Sequence, residues 1–175
     1  MTPGRRLLVT LLLTLLAAGT ALATTYRELS LAEILERAEV AFFGTVASVT
    51  VEERLGEPWT IVEFAVERQL AAEGEAARRE LAFLGGELAG EALRVSLMPA
   101  FEVGEEVLVL AYDEPYISPI VGFDQGLWRV DDGELRDARG RRLSVDEDGR
   151  LVADGPRVEI DLILGAIEAE LEDRP

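Results

Sequence analysis

The spacing of apolar positions changes repeatedly along this chain, and each change predicts a different element. From Leu7 to Leu16 the residues are almost uniformly apolar, behind the charged pair Arg5-Arg6. Leu31, Ile34, Leu35 and Ala38 then recur at helical intervals, with Glu33, Glu36 and Arg37 elsewhere on the surface of that helix. Ser30 is placed to cap it, Glu33 completes a capping box, and Leu29 and Ile34 fit a hydrophobic staple. From Ala41 the period becomes that of strands.

Ala41 to Val51 is rich in β-branched and aromatic residues, and Gly44 within it predicts a bulge or a close backbone approach. Val62, Phe64 and Val66 alternate with Glu63, Ala65 and Glu67, so the first three face a core. Leu81 and Phe83, then Leu93, Val95 and Leu97, repeat the alternation. Val107-Leu108-Val109-Leu110 has no polar face and predicts an interior strand. Strands over Ile117 to Val121 and Leu127 to Val130 follow. Asp132-Gly133, Arg139-Gly140 and Asp148-Gly149 are turn signals around short strands at Leu143-Ser144-Val145 and Leu151-Val152. A closing helix, Asp161 to Glu172, carries the stripe Ile160, Leu164, Ile167 and Leu171. The expected fold is mainly β: an OB-like antiparallel β-barrel or curled sheet with a short N-terminal helix and a C-terminal helix.

The first apolar run reads as an address. A basic start, an apolar stretch and Ala21-Leu22-Ala23 fit a secretory signal peptide over residues 1–23, with a mature chain of residues 24–175 beginning at Thr24. An uncleaved anchor is the rival, but Ala, Gly and Thr dilute the second half of the stretch. The chain has no Cys, which removes lipoprotein anchoring and disulfides together, so an exported domain would rest on its core alone. No linker, repeat or low-complexity run divides residues 24–175, and one domain is expected there.

Charge narrows the partners. The net charge is −17, and the two Arg of the leader make the remainder still more acidic. Such a domain is repelled by phosphate backbones and anionic lipid, so neither nucleic acid nor stable membrane insertion after cleavage is expected. All basic residues are Arg, and the absence of Asn leaves no N-glycosylation site.

The order of motifs is familiar. Gly44-Thr45-Val46 closes a helix-plus-strand opening, Gly85-Gly86 follows a strand, and Pro99-Ala100-Phe101-Glu102-Val103-Gly104-Glu105-Glu106 leads into Val107-Leu108-Val109. Gly122-Phe123-Asp124-Gln125-Gly126-Leu127-Trp128-Arg129-Val130 completes the set. Over about residues 29–170 this resembles a family of small, uncharacterised secreted bacterial proteins. Their layout is similar to the OB-like barrel of metalloproteinase-inhibitor and netrin-type modules. The inhibitors' zinc-chelating N-terminal Cys has no counterpart here, so the resemblance implies a barrel and not that mechanism.

Read from the residues, Phe101 plugs one end of the barrel and Gly104 turns the chain into the strand that follows. Trp128 either fills the core or stacks on a ligand, with Gln125 as its polar companion. The loop Asp113 to Gly126 carries Pro115, Tyr116, Pro119, Phe123 and Gln125, a rigid and amphipathic set suited to contact. Tyr116, Phe123, Gln125 and Trp128 are accordingly the candidate binding residues.

Without His, Cys or Lys, no base stands ready to activate Ser30, Ser48, Ser96, Ser118 or Ser144, and no His/Cys zinc site exists. Asp146-Glu147-Asp148-Gly149 is the nearest approach to a calcium loop, and an acidic turn explains it more simply. No cofactor and no metal are expected. The favoured function is a secreted, non-enzymatic binding protein for a protein or cell-envelope partner; the alternative is a carboxylate-dependent secreted hydrolase. Export makes one firm prediction: the intact mass of protein from periplasm or medium corresponds to a chain beginning at Thr24. A membrane-bound species that retains Met1 would refute it.

Overall fold

The computed structural model describes residues 27–71, 76–114 and 116–174; the expected leader with its cleavage site, and Pro115, lie outside them. Helix α1 (Leu31–Arg37) opens the described chain, and its capping box forms as expected. The Ser30 hydroxyl accepts from the Glu33 backbone at 3.2 Å, and the Glu33 carboxylate accepts from the Ser30 backbone at 2.9 Å.

Two long strands follow, β1 (Val40–Arg54) and β2 (Glu57–Ala71), joined by the turn Leu55-Gly56. Then come β3 (Arg78–Leu84), β4 (Gly86–Leu88), β5 (Glu91–Leu93), β6 (Glu106–Ala111), β7 (Leu127–Asp131) and β8 (Glu134–Arg136). The hairpin β9 (Leu143–Val145) with β10 (Leu151–Ala153) precedes helix α2 (Ile160–Glu172). The main sheet is antiparallel, in the order β3-β2-β1-β6-β7-β8, with β4-β5 and β9-β10 as separate ribbons. The fold is thus mainly β with two helices. Its principal sheet is open, with β3 and β8 as its edges, and no ladder joins those edges among the described residues.

Strand alternation sorts the apolar side chains into two cores. Ala41, Phe43, Leu108 and Leu110 face α1, α2 and the β9 hairpin, meeting Ile34, Leu35, Ile163, Leu164 and Ile167. Val40, Phe42, Val107 and Val109 face the other way, toward Phe64, Phe83 and Phe101. There Phe42 and Phe64 meet edge to face at 5.3 Å, and Phe101 lies 5.6 Å from Phe64 and 5.0 Å from Phe83. Phe101 thus packs on the second core; the main sheet is open, so it closes no barrel end among the described residues.

Gly44 is required by a close approach. A Cβ there would lie 2.2 Å from the Ala65 carbonyl oxygen of β2, and the β1–β2 register slips between Phe43 and Gly44. Two segments depart from the expected strands. Beyond Leu93 the chain leaves extended pairing, with Leu97 exposed at a φ of 66°, because residues 94–101 cross the sheet to bring Met98 and Phe101 into the second core. Around Ile117 to Val121 only Ile120 pairs, with Ala111, and the rest is folded into turns in which the Ser118 hydroxyl donates to the Phe123 carbonyl at 2.8 Å.

Phe64→Ala should cost about 3–5 kcal/mol, because a fully buried ring with two aromatic partners leaves a cavity that flanking strands cannot close. Chemical denaturation measures it. An unchanged midpoint would mean that the β2 register is misplaced.

Candidate functional site

The structure divides the four candidate residues: Gln125 and Trp128 border one cleft, Tyr116 another, and Phe123 neither. Trp128 sits on β7 opposite Leu108 and is 5 % exposed, so most of its ring belongs to the core beneath α1. Gln125 is a clamp for the N-terminal segment: its Oε1 accepts from the Leu29 backbone at 2.7 Å, and its Nε2 donates to the Arg27 carbonyl at 3.0 Å. Phe123 is partly exposed in a turn at a φ of 69°. Tyr116 lies elsewhere, its ring 4.8 Å from that of Tyr112.

Gln125 and Trp128 border a cleft of about 260 Å³ between residues 28–34 and the turn before β9. Its walls are charged and already paired. Glu28 bridges Arg139 at 2.6 Å and Arg141 at 2.8 Å, and Arg141 also holds Asp137 at 2.8 Å. Hydrogen bonding and charge from Arg139, reinforced by Arg141, hold the Glu28 carboxyl below its usual range. This network ties the N-terminal segment to the residues before β9.

A second arginine cluster lies beside it. Glu134 is 7 % exposed and surrounded by three guanidiniums: Arg142 Nε at 3.0 Å, Arg157 Nε at 3.7 Å, and Arg136, which donates to its other oxygen. Burial pushes the Glu134 carboxyl up, but contact with Arg142 and Arg136 outweighs it and leaves the group below the ordinary 4.5. Across the molecule Arg68 grips Glu168 of α2 bidentately, at 2.9 and 2.6 Å.

Tyr116 borders a different cleft, of about 390 Å³, between the end of the β1–β2 hairpin, β3 and the loop after β6. Trp59, Tyr112, Tyr116 and Pro119 supply apolar surface, and Leu55 stands at its mouth. Leu55 is 100 % exposed and held at a φ of 56°, followed by Gly56 at 81°. Positive φ at both turn residues matches the twist of a two-residue hairpin but costs a leucine about 1–2 kcal/mol. Leu55, Trp59 and Tyr112 were not singled out in the sequence. The one available signal was Leu-Gly at the centre of a hairpin, where Asn-Gly is the relaxed choice.

Asp146 spends its Oδ1 on the backbone of its own turn, accepting from Asp148 and Arg150 at 2.9 Å, and no acidic cluster with metal-binding geometry occurs among the described residues. No described helix is long and apolar enough to cross a membrane. Comparison with family models, curated proteins and solved structures returns no match to this chain.

The arginine-held carboxylates predict acid sensitivity. Because the folded pKa of Glu134 lies below 4.5, the unfolded chain binds protons first on acidification, so its contribution is full above about pH 4.5 and is lost below it. Glu134→Gln should lower the melting temperature at neutral pH and flatten the fall below pH 4.5 relative to wild type. Both proteins share the general relief of negative charge at low pH, so the difference isolates this group. Parallel melting-versus-pH curves would remove Glu134 from the account.

Proposed function

We propose that this protein is exported, loses its leader after Ala23, and works as a non-enzymatic binding module. Its contact end is the tip of the β1–β2 hairpin together with the loop after β6. The observation that carries this reading is Leu55: a fully exposed leucine held in a strained turn beside an aromatic cleft. Strain at an exposed apolar residue gives the fold nothing, so it points to a contact made with something else. Tyr116, half exposed in the same cleft, links this end to the loop favoured on sequence. A curled antiparallel sheet with Phe101 packed on its second core is also in keeping with the OB-like reading and with the secreted family that the chain resembles.

The hydrolase reading has less support. A general acid needs a carboxyl kept protonated near neutral pH. Glu28, Glu134 and Glu168 are instead held by arginines on the ionised side.

Leu55→Asn tests the proposal with two readouts of opposite sign. Relief of the turn should raise the unfolding free energy by about 1 kcal/mol. Loss of the apolar contact should weaken capture of partner from the periplasmic fraction. A variant that captures as well as wild type would remove Leu55 from the binding end, and turnover of a substrate by pure protein would overturn the class.

A further inference from the structure

We propose that the cleft beside β3 receives an extended, basic peptide segment of a partner protein, laid along the free edge of that strand; this rests on the binding reading above. Three independent features converge on this occupant. First, β3 is an edge of the main sheet, and the cleft runs beside Glu80, Leu81 and Ala82. Outside its ladder with β2, the only backbone bond recorded for β3 among the described residues is from the Leu84 N–H to the Ile117 carbonyl, at 2.8 Å. Alternate peptide groups before Leu84 are therefore open to an added strand, which would satisfy them in the manner of any antiparallel or parallel neighbour.

Second, the cleft has the charge of a site for a cation. The carboxylates of Glu80, Asp113 and Glu114 border it against one guanidinium, Arg54, which is itself engaged by Glu52 and by Glu80 at 3.2 Å. The net charge of −17 steers basic segments toward the protein and anionic surfaces away. That balance also disfavours a second copy of this chain.

Third, the aromatic lining suits an arginine or lysine side chain. The tilted Tyr112–Tyr116 pair and Trp59 offer ring surface for an aliphatic stem and a cation, while the rim acids meet its charged head. The Trp59 indole N–H is buried without an acceptor among the described residues, and a shift of the ring on binding would let it donate to a partner carbonyl.

The test uses the full exported protein and short acetylated, amidated peptides. Trp59 and Trp128 are the only tryptophans, and Trp128 is buried in the core, so a peptide-induced change in emission reports Trp59. A peptide of alternating Val and Arg should change that emission saturably, and added salt should weaken binding. A Val-Glu peptide should leave the emission unchanged. Asp113→Asn with Glu114→Gln should weaken binding about fivefold. Methylating the peptide nitrogens on one edge should abolish binding. Tyr116→Ser should weaken it without lowering the melting temperature.

Equal binding of the acidic peptide overturns the charge argument, and undiminished binding of the methylated peptide overturns strand addition. A sedimentation dimer that occludes the cleft would assign it to a second copy and overturn the proposal. No response to any peptide, while Leu55→Asn still impairs partner capture, would sink the basic-segment inference and leave the binding reading standing. Absence of both effects would remove both.

Discussion

The burial of β6 on both faces is the constraint from which the rest of the molecule follows. Every residue from Val107 to Ala111 is inaccessible to solvent, with alternate side chains committed to opposite cores. A strand with two apolar faces needs a layer on each side. The helices and the β9 hairpin supply one, and side chains of β2 and β3 together with Met98 and Phe101 supply the other. With no disulfide to help, those two layers carry the stability. Gly44 matters for the same reason: it lets β2 approach β1 closely where Phe42 and Phe43 diverge into the two cores.

Much of this was legible from pattern. The capping box, the interior strand, the buried Phe64 and the closing helix all follow from local rules, and each local preference agrees with its tertiary surroundings. The exceptions are places where a long-range contact overrides a local period. Val95 and Leu97 alternate like a strand, but residues 94–101 are drawn across the sheet by Met98 and Phe101. Ile117 to Val121 is β-rich in composition, but its backbone is spent on the end of β6, on its own turns and, at Ile117, on Leu84 of β3.

The cleft at the β1–β2 tip was only half visible in the sequence. Tyr116 could be chosen from its loop, whereas Trp59 and Leu55 become its neighbours because β1 and β2 run the length of the sheet before turning beside β3. Gln125 and Trp128 shared a motif with the loop in sequence but are used internally, one as a tether and one as core. Spacing along the chain does not reveal which side of a sheet a turn will serve.

Charge distribution completes the division between scaffold and surface. The 17 arginines face 34 acids, and several are committed to joints: Arg68 to α2, Arg139 and Arg141 to the N-terminal segment, and three around Glu134. The joints remain neutralised while acids predominate around the aromatic cleft. Glu134 is the member that matters: it is buried among three guanidiniums that are themselves partly exposed, and its loss would leave their charges facing one another. The hairpin end has the opposite character. Its apolar tip is exposed, its turn is strained, and its cleft faces an open strand edge. The strained, exposed leucine at the β1–β2 tip thus contrasts with the arginine-lined cleft, whose charged walls are already paired, and the proposed binding reading rests on that contrast.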